Sequence, residues 1–248
     1  MAQLTSGHSY RGVLYQRLIA VQARVARRSA PQPGVFFKYP PFQSAAEERA
    51  NGLIHGTAAL ASLAGAVWLV TAAMRQGDPL MMMGCAAYAA SLTAVFTMST
   101  LSHMIDPPRL RQLFRTLDQA CIYLLTAGCC TPYFIRFLLP HGWGWTLPVL
   151  WGMALVGVWN KLRGYRVNSV SIAFNVALGW FPVLAARPLL TYMPPGCVVL
   201  VILTAALYML GVVFLCYDER CRFFHAVWHT LVVAASVCTY AGIAVYVV

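Results

Sequence analysis

The chain has 248 residues, of which 60% are apolar and only 10% charged, against about 25% charged in an average soluble domain. That deficit excludes a soluble globular fold, and it leaves no folded basic module through which the formal charge of +11 would bind nucleic acid. The composition predicts an all-α membrane protein, since a helix needs about 20 apolar residues to cross the hydrocarbon core.

In chain order, a basic arm comes first. Residues 1–46 contain no Asp or Glu, and Tyr10, Leu14, Leu18, Val21 and Val25 recur at helical spacing with Arg17, Arg24 and Arg28 off that stripe. This reads as an amphipathic helix lying on a membrane surface, and the same features also describe a mitochondrial transit peptide. The run "APQPGVFFKYPPFQ" then reads as an extended, Pro-rich lead-in. No uncharged apolar run precedes the first span, which speaks against a cleaved signal peptide. The arm is assigned to residues 1–49 and a single transmembrane domain to residues 50–248.

Seven spans are predicted, over residues 52–74, 80–103, 117–139, 143–160, 168–187, 195–217 and 224–247. Basic residues near helix ends stay cytosolic, and fifteen of the 18 fall on one side: seven in the arm, then Arg109, Arg111, Arg115, Lys161, Arg163, Arg166, Arg220 and Arg222. Only Arg75, Arg136 and Arg187 lie opposite. The expected topology is a seven-helix bundle with a cytosolic N-terminus and an outside or lumenal C-terminus, the reverse of a G-protein-coupled receptor. Cationic loops suit an anionic cytosolic leaflet.

Several smaller features read as architecture. Cys85, Cys121, Cys129, Cys130 and Cys238 sit inside spans, Cys216 and Cys221 flank a loop on the cytosolic side, and no CxxC pattern appears, so most are small packing residues. "GCCTPYF" at 128–134 and "GWFP" at 179–182 predict Pro-kinked helices, with Arg136 snorkelling outward. His141 beside Trp143 and Trp145 reads as an interfacial belt. Asn168, Ser171 and Asn175 share a face, either lining a cavity or bonding helices together.

Ionisable groups within spans are functional hypotheses by default, because each costs several kcal/mol unless it finds a partner or a cavity. His103 closes the second span with Ser99 one turn deeper, Asp118 opens the third, and His225 and His229 open the seventh. Under the predicted topology these residues reach the same depth near the cytosolic face. Three imidazoles plus water make the open tetrahedral site typical of catalytic zinc. Asp118 would then serve as general base, with Ser99 orienting water or a substrate carbonyl. The competing explanation is that such histidines only hydrogen-bond one helix to another. His55, four residues after Asn51 in the first span and preceded by Glu48, is either a fourth ligand that closes the site or a supporting residue together with Asn51.

The motifs "EERANGLIHG", "STLSHM", "LDQACIYLLTAGCCTPYF" and "HAVWH" resemble, in order, those of the progestin and adipoQ receptor family, which includes the bacterial hemolysin III proteins. The similarity covers about residues 39–247, and the "GVVF…FHAVWH" ending looks most like the monocyte to macrophage differentiation factor branch. The resemblance implies seven spans, a cytosolic N-terminus and a Zn2+ ion held by His103, His225 and His229. It places a water-binding acid at Asp118 and a supporting serine at Ser99, and it keeps His55 off the metal. Because the wider superfamily includes alkaline ceramidases, it implies hydrolysis of a lipid amide. Other members are described as hormone receptors, and the nearest branch is tied to signalling in Golgi or lysosomal membranes, with the plasma membrane as the other location. The chain lacks a long acidic N-terminal domain, which argues against a protein hormone such as adiponectin as ligand.

Three functions follow as expectations. The first is a zinc-dependent lipid amidase, or a receptor with that activity, whose partners are membrane lipids. The second is a non-enzymatic receptor or scaffold in which zinc ties helices together and the cytosolic loops recruit a signalling partner. The third is a pore, disfavoured because no charged stripe crosses the outer half.

Overall fold

A computed structural model describes residues 43–163 and 169–248, and every regular element among them is helical. The basic arm as far as Phe42, with its Pro-rich lead-in, and Arg166 and Asn168 lie outside the described residues, whereas residues 45–49, assigned to the arm, form the first turn of α1. The helices are α1 (Ala45–Arg75), α2 (Pro79–Met104), α3 (Pro108–Phe137), α4 (Thr146–Leu162), α5 (Ser169–Trp180), α6 (Ala186–Tyr192), α7 (Pro195–Cys216) and α8 (Phe224–Tyr246). Short 3-10 turns cover Leu139–His141 and Phe181–Ala185.

Six stretches are long and apolar enough to cross a membrane: α1, α2, α3, α7, α8 and the composite Ser171–Tyr192. The chain is therefore a multi-pass, all-α membrane protein. The fourth predicted span corresponds to α4, whose 17 residues extend only about 25 Å at about 1.5 Å per residue, short of a core about 30 Å thick. The fifth is a broken segment. Pro182 removes a backbone donor just after Trp180, and the chain passes through the Phe181–Ala185 turn before α6 begins. Pro132, by contrast, sits inside an unbroken α3.

Local chemistry sets the ends. Ser44 and Glu47 form a reciprocal capping box at the start of α1. Asp78 caps α2 through the amides of Leu80 and Met81, with Pro79 at the first helical position. Pro107 and Pro108 stop α2 from continuing and open α3 nine residues before the span expected at 117.

Apolar residues cover the outside of this bundle as well as the inside. Leu60 and Val67 of α1 are each 71% exposed, so hydrophobicity cannot dictate which helix face turns inward, and close packing with interhelical hydrogen bonds decides. α3 occupies the centre, packed against α2 on one side and α4 and α5 on the other, while α8 joins α1 to α7. At the α2–α3 crossing a Cβ on Gly128 would collide with Ser91 Oγ and lie 3.3 Å from the Tyr88 backbone. Tyrosine hydroxyls then stitch helices to one another's carbonyls. Tyr133 donates to Thr239 at 3.0 Å, Tyr240 to Gly65 at 3.0 Å and Tyr123 to Ser171 at 3.0 Å. Asn175 Oδ1 accepts from Thr126 at 3.3 Å. Ser171 and Asn175 thus bond α5 to α3, which favours the helix-bonding reading of that polar face.

Candidate metal centre

The centre is assembled at one end of the bundle, where α2 stops and α1 and α8 start. His103 lies in the last turn of α2, held there because the prolines at 107 and 108 end the helix. His225 and His229 lie in the first two turns of α8, and their i, i+4 spacing puts them on one face. Gly52 lets α1 approach this end of α2: a Cβ there would come within 2.5 Å of Met104 Sδ and 3.7 Å of His103 Cβ.

One ring nitrogen from each of His103, His225 and His229 lies within 4.8 Å of the other two. His103 Nε2 and His229 Nε2 are 3.1 Å apart. The rings meet edge to face, with centroids 5.4 Å apart for His103–His225, 5.1 Å for His103–His229 and 4.5 Å for His225–His229.

The outer nitrogens are braced by carboxylates. His103 Nδ1 is 2.7 Å from Glu48 Oε2, and His225 Nδ1 is 2.8 Å from Asp218 Oδ2. An ionised carboxylate only accepts, so in each pair Nδ1–H donates and the Nε2 lone pair is left to face the cluster. This carboxylate–histidine arrangement orients imidazoles around metals and raises their basicity. Glu48 is itself anchored, with Arg115 donating to Oε1 at 3.1 Å and the Arg111 guanidinium at 3.9 Å. The residues fit a metal ion. Two imidazole nitrogens on a tetrahedral ion at about 2.0–2.1 Å sit about 3.3 Å apart, close to the separation already present between His103 and His229. Three neutral imidazoles suit zinc among the divalent transition ions, without singling it out.

The remaining predicted residues surround this cluster in different ways. Ser99 is fully buried one turn below His103. Its hydroxyl lies against the Asp118 carboxylate without a closed hydrogen bond. Asp118 sits in the third turn of α3, between Ser99 and Arg115, and makes no hydrogen bond to a histidine among the described residues. His55 is 3% exposed; its ring packs tilted against His229 with centroids 3.9 Å apart and edge-on to Phe96 at 5.0 Å. Both of its ring nitrogens lack hydrogen-bond partners, and it stands outside the three-histidine group. Asn51 donates to Gln43 at 2.6 Å, on its own side of α1 rather than to a neighbouring helix.

Sequence reasoning missed Glu48, Asp218 and Arg115 as parts of the centre. Scarcity was the available signal. The chain has only seven acidic residues, and an acid seven positions before His225, or one turn ahead of Asn51, warranted a role of its own.

The haemolysin-III related family matches residues 43–240, a stretch that contains all three histidines and both carboxylate braces. The chain belongs to that family. Hemolysin-3 of Bacillus cereus is 30% identical over 204 residues, covering 81% of this chain and 92% of that protein. The Hemolysin-3 homolog of Bacillus subtilis (strain 168) is 28% identical over 204 residues, covering 82% and 95% respectively. No solved structure matches. The first relative's coverage means that this haemolysin-III related chain aligns along nearly the whole of a family member, and the family's domain is the helical bundle itself.

Proposed function

We propose that this haemolysin-III related protein is a zinc-dependent membrane hydrolase of lipid amides, ceramide-like in substrate class, with its centre near the cytosolic leaflet. In this reading α4 completes a seventh span in a locally thinned bilayer, the N-terminus is cytosolic and the C-terminus is outside or lumenal. The distribution of basic residues supports that orientation. The protein works in an endomembrane of the Golgi or lysosomal kind, or in the plasma membrane.

The observation that carries the reading is the convergence of His103, His225 and His229, with the first two held by Glu48 and Asp218. A bound zinc ion supplies Lewis acidity and lowers the pKa of a water from about 16 toward about 7. The chain's own residues do the rest. Asp118 takes a proton from the attacking water as that water adds to the amide carbonyl, and it returns the proton to the amine as the C–N bond breaks. Ser99, against the Asp118 carboxylate, orients that group and the carbonyl. His55, whose ring lies against that of His229, supports the cluster from α1.

Metal content and turnover test this directly. Purified wild-type protein should carry near one zinc per chain, strongly reduced by His103→Ala and by His225→Ala. Asp118→Asn should keep the zinc and abolish fatty-acid release from ceramide vesicles. Full turnover in Asp118→Asn would remove the proposed base.

One observation favours a second reading. Asp118 bonds to no histidine, so the metal would then be a structural tie between α2 and α8 in a non-enzymatic receptor or scaffold that recruits a cytosolic partner. Zinc binding without turnover of any lipid amide would select it.

A further inference from the structure

Glu47 and Glu48 are adjacent, yet they reach different histidine-bearing helices. Glu48 holds His103 of α2. Glu47 Oε1 accepts the backbone N–H of Phe223 at 2.9 Å, across 176 positions of sequence, while its Oε2 accepts from Ser44 N at 3.0 Å and Ser44 Oγ at 2.6 Å. Phe223 is the residue that caps α8. It has no side-chain cap, and at φ 61° it is the one non-glycine with a left-handed backbone among the described residues. Phenylalanine has no local reason to adopt that conformation, so something outside the turn must hold it. Glu47 is what touches it, and Arg222 beside Phe223 adds its charge to the same carboxylate. The turn held in this way runs back to Asp218, whose carboxylate fixes His225 Nδ1. Asp218 and His225 are seven residues apart, and their bond closes only while the chain between them keeps this reversal.

We infer that Glu47 is a positioning residue for His225: by holding Phe223 N–H it sets the turn that brings Asp218 onto the imidazole, so the N-terminus of α1 braces both halves of the histidine centre. This rests on the reading of the cluster as a metal centre. Glu47 acts through the turn and does not meet the metal. Its contribution is therefore separable from the ordinary helix cap, in which Ser44 is the other partner.

The test is the zinc affinity of the full-length protein in detergent, measured by competition with a chromophoric chelator, alongside the thermal midpoint of the metal-free form. Loss of an outer partner of a metal ligand weakens binding about 10–100-fold. Glu47→Ala is expected to weaken zinc about tenfold. Glu47→Gln, which keeps an acceptor oxygen for Phe223 N–H, should restore affinity to near wild type. Ser44→Ala should lower the metal-free midpoint as Glu47→Ala does, yet leave zinc affinity unchanged. Asp218→Ala should weaken zinc by itself, and Glu47→Ala added to it should cost little more, because both act on one histidine. Zinc affinity in Glu47→Ala within twofold of wild type would overturn the inference, as would equal losses in Ser44→Ala or full additivity with Asp218→Ala. If wild type binds zinc and His225→Ala does not, such a result falls on Glu47 alone. If wild type binds no zinc, the metal reading falls first and the inference with it.

Discussion

At the scale of single residues, the centre combines donors that face inward with acids that face outward. His103 is buried, and removing Glu48 would strip its Nδ1–H of an acceptor and take from Arg115 and Arg111 the carboxylate they share. Glu48→Ala should therefore weaken zinc about 10–100-fold by chelator competition, a larger loss than Glu47→Ala gives. Glu48→Gln, which still accepts a hydrogen bond, should recover part of it. The three histidines were legible in the sequence, because an i, i+4 pair and a third histidine at a matching helix end announce themselves once the spans are drawn. Their braces were not legible. The bond between His103 and Glu48 spans 55 positions, and nothing local in either helix states that α1 and α2 meet there; the close approaches at Gly52 and Gly56 are visible only in the fold. The location of Asp118 between Ser99 and Arg115 was equally hidden, because it depends on the rotation of α3 about its own axis.

At the scale of elements, helix position was largely readable and helix breaks were not. Apolar length located α2, α7 and α8 to within one residue at each end, whereas α1 starts seven residues before the span expected at 52, because its cap at Ser44 precedes a polar first two turns. The fifth segment reads as one run because its composition does not change across Trp180, whereas the backbone changes at Pro182. Orientation of each helix about its axis escaped the sequence for a physical reason: lipid and protein interior are equally apolar, so no amphipathic stripe marks the inner face. Small residues mark it instead, and this can be tested. Gly128→Leu forces a side chain into Ser91 and the Tyr88 backbone and should destabilise the protein by about 1–3 kcal/mol, as overpacking does. Gly152→Leu, where an added Cβ meets nothing within 4 Å, is the matched control and should leave the thermal midpoint unchanged.

At the scale of the whole molecule, a metal at the centre would link α2 to α8 while the carboxylates link both to α1 or to the α7–α8 turn. A ligand that binds only the folded state stabilises it by about 2.7 kcal/mol at 100 times its dissociation constant. Chelation of zinc should therefore lower the thermal midpoint of wild type by several degrees and leave His229→Ala unmoved, as read by thermal unfolding in detergent. The topology has its own test. Cys216 and Cys221 are exposed beside the α7–α8 turn, so a membrane-impermeant maleimide should label them from the same side as an N-terminal tag. A C-terminal tag should be protected on that side. Labelling from opposite sides would reduce the count of spans to six.

The distance along the chain between His103 and His229, 126 residues, also imposes an order on biosynthesis. Translation at about 5–20 residues per second leaves roughly six to 25 seconds in which α2 is in the membrane and α8 has not yet been made. Through that interval His103 has Glu48 and, on α1, His55, but neither imidazole of α8, so on the proposed reading the three-histidine centre cannot form until that helix inserts. On the proposed reading metal loading would therefore mark completion, since a chain that stops before Phe224 lacks two of the three imidazoles. An inspector of nascent membrane proteins that sensed the ion would be sensing the arrival of the final helix.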